Sequence, residues 1–185
     1  MTGQELFAPL PATAYDIIYA DPPWSFEGGN KTKPKGIGAN KIVGRHYDIV
    51  STNDLATLPV WQIARKDCLL FMWAVSPMLE DALKLGRNWS FKYATVAFVW
   101  DKKIANCGNY TLPVVEMVLV FKRGKIPTPR GARNVRQFLS EKRQAHSVKP
   151  DEIRNRITKM FPAQKKIELF ARRPVDGWDV WGNEV

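Results

Sequence analysis

Cysteine is nearly absent: Cys68 and Cys107 stand far apart and neither belongs to a ligand or redox motif. That argues against a disulfide framework or a zinc site and for two ordinary reduced thiols. No apolar run is long enough to span a bilayer, and the polar amino terminus lacks the basic-then-apolar order of a signal peptide. A cytoplasmic protein is therefore expected. Neither a repeat, a low-complexity tract nor an obvious linker interrupts the 185 residues, and a single domain over 1–185 is predicted. Glycine-rich dinucleotide fingerprints are missing as well; no GxGxxG and no FxGxG occurs anywhere.

Acidic residues are scarce where basic ones gather. The formal net charge is +10, and 45 % of the residues are hydrophobic, enough for a packed core rather than disorder. Gly28 to His46 carries Lys31, Lys33, Lys35, Lys41 and Arg45 without one acid. Lys122 to Lys149 carries nine Lys or Arg residues against Glu141 alone, among them Arg130, Arg133, Arg136, Lys142 and Arg143. Both stretches are rich in turn-forming residues. They read as two basic loops, about 25–47 and 122–149, able to grip a phosphate backbone. The alternative is a pair of merely solvated loops.

The periodicity predicts strands at YDIIYA (15–20), CLLFMWAV (68–75), YATVAFVW (93–100), VVEMVLVF (114–121) and KIELFA (166–171), with WDVW (178–181) as one more. A helix is predicted from Ser51 to Ala64, capped by Ser51 and shortened or kinked by Pro59. A second starts at Ser76-Pro77, turns Met78, Leu79, Ala82 and Leu83 inward and ends at Gly86. A third runs from Pro150 to Met160 with Asp151 and Glu152 in its first turn. Continuous apolar strands between helices predict a doubly wound α/β fold with a mostly parallel sheet. Ligands of such sheets bind beyond the carboxyl ends of the strands, where Asp21 and Arg172 fall.

The strand at 15–20 stops abruptly in DPPW, Asp21 to Trp24. Pro22 and Pro23 fix φ and offer no N–H, so what they present is rigid carbonyl oxygen. A carboxylate beside a fixed carbonyl is an acceptor pair for a nitrogen bearing two hydrogens. Trp24 adds a face on which a flat ring stacks. Such a pair pulls an aromatic exocyclic amine toward tetrahedral geometry, aims its lone pair and stabilises the positive charge that grows on it. Alone, DPPW is equally a Pro-Pro turn after a strand, with Asp21 as a cap and Trp24 in the core.

Taken together, YDIIYADPPW, HYDIVSTNDLATLPV, VAFVWDK, VVEMVLVFKRG and HSVKPDEIRNRITKMFPAQKKIELFARRPVDGWDVWGNE resemble the MT-A70 family. The resemblance runs from Tyr15 to Glu184. It implies adenine 6-amino methylation with S-adenosylmethionine on DNA or RNA, on a Rossmann-like fold of permuted motif order. By that resemblance Asp21, Pro22, Pro23 and Trp24 are catalytic. Asp21, Pro22, Lys149, Arg172, Asn183 and Glu184 hold the cofactor. Lys31, Lys33, Lys35, Lys41, Arg45, Tyr47, Arg130, Arg133, Arg136, Lys142 and Arg143 are the nucleic-acid candidates. The chain departs from RNA-acting relatives at Pro174-Val175 and at Glu184, where they tend to carry asparagine and glutamine; Glu184 then takes a ribose hydroxyl in their place. GWDVWGNE resembles bacterial or phage members, for which DNA is the more usual presumed substrate.

Several residues stay open at this level. Glu116, an acid inside an apolar strand, either pairs structurally or supports the site, since burial without a partner is costly. His46 and Tyr47 either shape the pocket after the first basic loop or pack within it, with packing preferred for His46. His146 is either near the cofactor or a surface histidine. Trp73, Trp100, Trp178 and Trp181 are read mostly as core, with Trp178 or Trp181 as candidates to line the cofactor cleft. The rival functions are an RNA adenine or cytosine 4-amino methyltransferase of the same mechanism, a non-catalytic nucleic-acid-binding partner, and a protein-glutamine methyltransferase. The assembly expected is a monomer or a homodimer.

Overall fold

The computed structural model describes residues 8–24, 51–108, 110–144, 148–182 and 185. Seven strands form one sheet: β1 (Tyr15–Ala20), β2 (Ala64–Ala74), β3 (Lys92–Asp101), β4 (Val115–Arg123), β5 (Phe138–Ser140), β6 (Lys166–Leu169) and β7 (Asp179–Trp181). Their order across the sheet is β5-β3-β4-β2-β1-β6-β7. β1 pairs in parallel with β2 and β6, β3 with β5, and β6 with β7. Only β4 runs against its neighbours, antiparallel to both β2 and β3. The sheet is thus mostly parallel, as expected, with one reversed strand near its middle.

Why the central stretches of β1, β2 and β4 are apolar follows from the two layers that cover them. Alternate side chains of one strand go to opposite faces. Ile18, Ala20, Leu70, Met72, Leu119 and Phe121 pack with the side of α1 (Thr52–Thr57) and α2 (Leu79–Asn88). Ile17, Tyr19, Phe71, Trp73 and Val118 pack under α3 (Asp151–Met160), against Ile153 and Ile157. Both faces are covered along the middle of these strands, so the residues there are apolar; the polar ones, Asp16, Arg65, Lys66, Asp67, Glu116, Lys122 and Arg123, fall toward the strand ends.

Helix ends follow local chemistry. The Ser51 hydroxyl accepts the Asp54 N–H at 3.1 Å and so caps α1. Pro59 ends α1 early, and a 3-10 turn at Val60–Gln62 follows. Pro150 caps α3, and Asp151 and Glu152 occupy its first turn.

Three expectations are corrected. Gly86 does not end the second helix, which runs on to Asn88; the glycine is a contact, because a Cβ there would lie 2.2 Å from Phe121 Cε1. The inner face of α2 is Ala82, Leu85 and Gly86, while Leu79 is exposed at the start of the helix. The stretch 122–149 is no single loop, since it contains the edge strand β5. Among the described residues no helix is long and apolar enough to cross a membrane.

Candidate active site

Six strands point their carboxyl ends to one rim, and the reversal of β4 brings its amino end to the same rim. β1 is followed by β2 on one side and flanked by β6 on the other, so Asp21 stands at a topological switch point. Its backbone N–H faces the Leu169 carbonyl at 3.5 Å. The turn after it is closed by a hydrogen bond from Trp24 N–H to the Pro22 carbonyl, 2.8 Å. That bond fixes the direction of a carbonyl whose second lone pair stays available. The Trp24 indole N–H donates to the Trp73 carbonyl at the end of β2, 3.2 Å, which ties the turn to the rim.

Lys149, one residue before the α3 cap, reaches into this rim. Its Nζ lies 3.1 Å from Asp21 Oδ1 and 3.2 Å from Glu116 Oε2, and 5.2 Å above the Trp73 ring. Glu116 is the second residue of β4, and the strand's reversal is what puts it here. Its other oxygen, Oε1, accepts from Lys102 Nζ at 3.1 Å. Lys102 follows β3 and is 2 % exposed. The charges alternate along the chain Lys102, Glu116, Lys149, Asp21.

Their electrostatics follow from that geometry. Burial pushes the Asp21 carboxyl above the ordinary aspartate value; Lys149 and Arg172 oppose the rise and the Glu116 charge adds to it. Burial alone would raise Glu116 too, but Lys149 and Lys102 outweigh it and hold the group below the usual glutamate value. Desolvation works against the Lys149 charge, and the two carboxylates more than offset it. Asp21 is thus a carboxylate that takes protons more readily than a solvated aspartate.

On the other side of β1, β6 ends in a sharp change of direction. Phe170 takes a left-handed φ of 61° and its ring packs edge-on against Trp181, centroids 5.5 Å apart. A positive φ in a non-glycine residue beside a rim is a strained turn of the kind found at sites. The Ala171 N–H donates to the Trp181 carbonyl at 3.0 Å. Gly182 allows this approach, since a Cβ there would sit 2.5 Å from the Ala171 carbonyl oxygen. Arg172 follows, close enough for its charge to act on Asp21. Arg154 pairs with Glu168 of β6: an η nitrogen donates to Oε1 at 3.2 Å and Nε lies 2.8 Å from Oε2.

Of the sequence candidates, the structure brings Asp21, Pro22, Pro23, Trp24, Lys149, Arg172 and Glu116 to one rim. An open cleft of about 340 Å³ beside Lys149 is lined by Trp100, Glu141, Lys142 and Gln144. Lys142 and Arg143 reach this rim because β5 climbs beside β3 and the Arg143 N–H donates to the Lys102 carbonyl, 3.0 Å. Arg130 does not reach it. It lies over the Phe161 ring, 4.9 Å from the centroid, where α3 ends at the opposite rim. Arg133 and Arg136 are exposed on the stretch leading up into β5. Lys31, Lys33, Lys35, Lys41, Arg45, His46, Tyr47, His146, Asn183 and Glu184 lie outside the described residues.

Trp73, Trp100, Trp178 and Trp181 are all buried. Trp73 donates to the Tyr19 hydroxyl at 2.5 Å and Trp100 to the Glu141 carbonyl at 2.8 Å, so both brace the rim from below. Lys102 is the site residue that sequence reading passes over. Its signal was the unusual WDK at the end of a buried strand, facing an acid in the next.

A mostly parallel sheet with a carboxylate, a rigid carbonyl turn and a lysine at its switch point has the architecture of the Rossmann-like methyltransferase class. The match to the MT-A70 family model over residues 15–184 makes the particular assignment: the chain belongs to the MT-A70 family and is a methyltransferase. It is 48 % identical to the type II methyltransferase M.MunI of a Mycoplasma species, over 98 % of this chain and 82 % of that protein. It is 28 % identical to the mouse N(6)-adenine-specific methyltransferase METTL4, over 92 % of this chain and 37 % of that one. The N6-methyladenosine RNA methyltransferase MTA1 of Pyricularia oryzae is 26 % identical, over 94 % of this chain and 48 % of that one. The chain thus spans less than half the length of these two eukaryotic relatives.

Proposed function

We propose that the protein transfers the methyl group of S-adenosylmethionine to the 6-amino group of adenine in DNA. The observation that carries this reading is the Asp21 carboxylate beside the braced Pro22 carbonyl, both at the switch point of the sheet. The type II designation of the Mycoplasma relative supports DNA, and the adenine-specific designation of the mouse relative supports the base.

The residues present suit the cofactor. Lys149 and Arg172 offer cations at this rim to an amino-acid carboxylate. Bound there, S-adenosylmethionine supplies an electrophilic sulfonium methyl. Asp21 and the Pro22 carbonyl accept the two N–H groups of adenine and turn its lone pair outward. With the cofactor bound, the Asp21 carboxylate would stabilise the positive charge that develops on the amine nitrogen, and its raised proton affinity suits it to receive the proton released. The base reaches this rim flipped or single-stranded, because its amine is inaccessible within the stack. The remaining candidates, Lys31, Lys33, Lys35, Lys41, Arg45 and Tyr47 toward the nucleic acid and Asn183 and Glu184 toward the cofactor, complete the reading.

Incubation with labelled cofactor and duplex DNA, followed by digestion to nucleosides, should give 6-methyladenine; its absence sinks the proposal. The RNA methyltransferase among the relatives favours one second reading, RNA adenine as acceptor. Matched DNA and RNA offered in competition separate the two.

A further inference from the structure

Resting on that reading, we propose that Lys102 is a positioning residue for methyl transfer, acting through Glu116 to hold Lys149 shared between two carboxylates rather than committed to Asp21. The argument is one of competition. Lys149 Nζ stands almost midway, 3.1 Å from Asp21 and 3.2 Å from Glu116. A lysine given wholly to Asp21 would occupy the acceptor that the amine needs and would weaken the carboxylate as a base. A lysine drawn wholly to Glu116 would leave Asp21 buried without a counter-charge and protonated, with no lone pair for the amine. Sharing keeps Asp21 ionised and accessible.

What sets the balance is the strength of Glu116 as a competitor, and Lys102 sets that strength. Its Nζ neutralises Glu116 from the side away from Lys149, through the other carboxylate oxygen, at 3.1 Å. Its backbone is pinned on both sides: Lys102 N–H donates to the Val114 carbonyl at 2.9 Å and its own carbonyl accepts from Arg143 at 3.0 Å. A lysine 2 % exposed serves no solvated surface. Its ion pair is with Glu116 and not with Asp21, so its role runs through Glu116.

The groups facing Asp21 come from every element around it: Lys149 before α3, Glu116 on β4, Arg172 and Glu168 from β6 and the turn after it, and Tyr19 on β1. Glu116 is faced by Lys102 and Lys149. Two substitutions then move Asp21 in opposite directions. Lys102→Met leaves Glu116 less neutralised; it repels Asp21 more and draws Lys149 away, so the Asp21 titration midpoint rises. Glu116→Gln removes the like charge and releases Lys149 to Asp21, so the midpoint falls.

The experiment is a carboxyl carbon NMR titration of Asp21 in the ligand-free wild type, Lys102→Met, Glu116→Gln and the double variant, with kcat on DNA measured alongside. Opposite shifts are expected, with the double variant matching Glu116→Gln and each single variant losing kcat on the order of tenfold to a hundredfold through misplacement. Shifts of the same sign, an unmoved midpoint in Lys102→Met, or losses in kcat that simply add in the double variant overturn the inference. Should Lys102→Met not fold, Lys102→Gln takes its place, and an Asp21 midpoint that stays or falls in it refutes the proposal. The titration needs no substrate. A wild type that shows the expected midpoints yet methylates no nucleic acid defeats the functional reading instead.

Discussion

Asp21 holds its proton more tightly in the folded protein than in an open chain, because burial outweighs the Lys149 contact. Between the unfolded value, about 3.9, and the raised folded one, the native state binds more protons. Its contribution to stability therefore declines as pH rises through that window and stays unfavourable above it. Asp21→Asn removes this cost while Lys149 keeps Glu116 as partner. The variant should melt no lower than wild type at neutral pH, bind the cofactor and transfer nothing. A clear drop in melting temperature there would show Asp21 to be structural. Glu116 has the opposite sign. Lys149 and Lys102 hold it below its usual value, so its stabilisation is present above the unfolded pKa and is lost as pH falls through the folded one. Glu116→Gln also leaves Lys102 buried without its anion and should cost on the order of 3 kcal/mol at neutral pH, measured by chemical denaturation.

At the scale of elements, α2 depends on one close approach. The Phe121 ring from β4 lies where a Cβ on Gly86 would be, so helix and sheet meet without a side chain between them. Gly86→Ala raises helix propensity, yet it overpacks a dense core, and the second effect is the larger. A loss of about 1–3 kcal/mol is expected in denaturant titration; an unchanged midpoint would mean that the sheet yields. The same glycine shows why strand and helix existence was legible from sequence while their relations were not. Apolar runs at 15–20, 68–75 and 114–121 announce strands buried on both faces, and nothing in such a run tells its direction. The direction of β4 was written in the connection instead: residues 102–114 hold Asn, Gly and Pro and no helical period, which suits an antiparallel return more than a parallel crossover. That reversal carries Glu116 to the Asp21 rim. β5 was hidden because three residues at a sheet edge, with Phe138 and Ser140 exposed, leave no apolar run. DPPW and Lys149 were legible because rigid and charged residues at the ends of apolar elements have few structural uses. Lys102 was not, since a lysine after a strand is ordinarily solvated.

At the scale of the whole molecule, the positive charge of the described residues is not one surface. The basic stretch after β4 starts at the rim away from Asp21, where the Arg123 guanidinium donates to the Trp61 carbonyl at 2.6 Å and Gly124 turns beside Asp67. It passes Arg130 over Phe161, climbs through β5 and arrives at Lys142 and Arg143 beside the cleft. On the proposed function, a phosphate backbone led to Asp21 is expected to meet Lys142 and Arg143 and not Arg130. Lys142→Ala and Arg143→Ala should each weaken DNA binding about uniformly across sequences and reduce the salt slope of log K by about 1. Arg130→Ala should leave both untouched and instead lower the melting temperature, because it strips a cation from an aromatic face at the end of α3. Binding isotherms at several salt concentrations, with melts on the same three proteins, decide it. A reduced slope in Arg130→Ala would require DNA to wrap to the opposite rim, and the net charge of +10 would then act as one continuous track rather than as a rim-directed field.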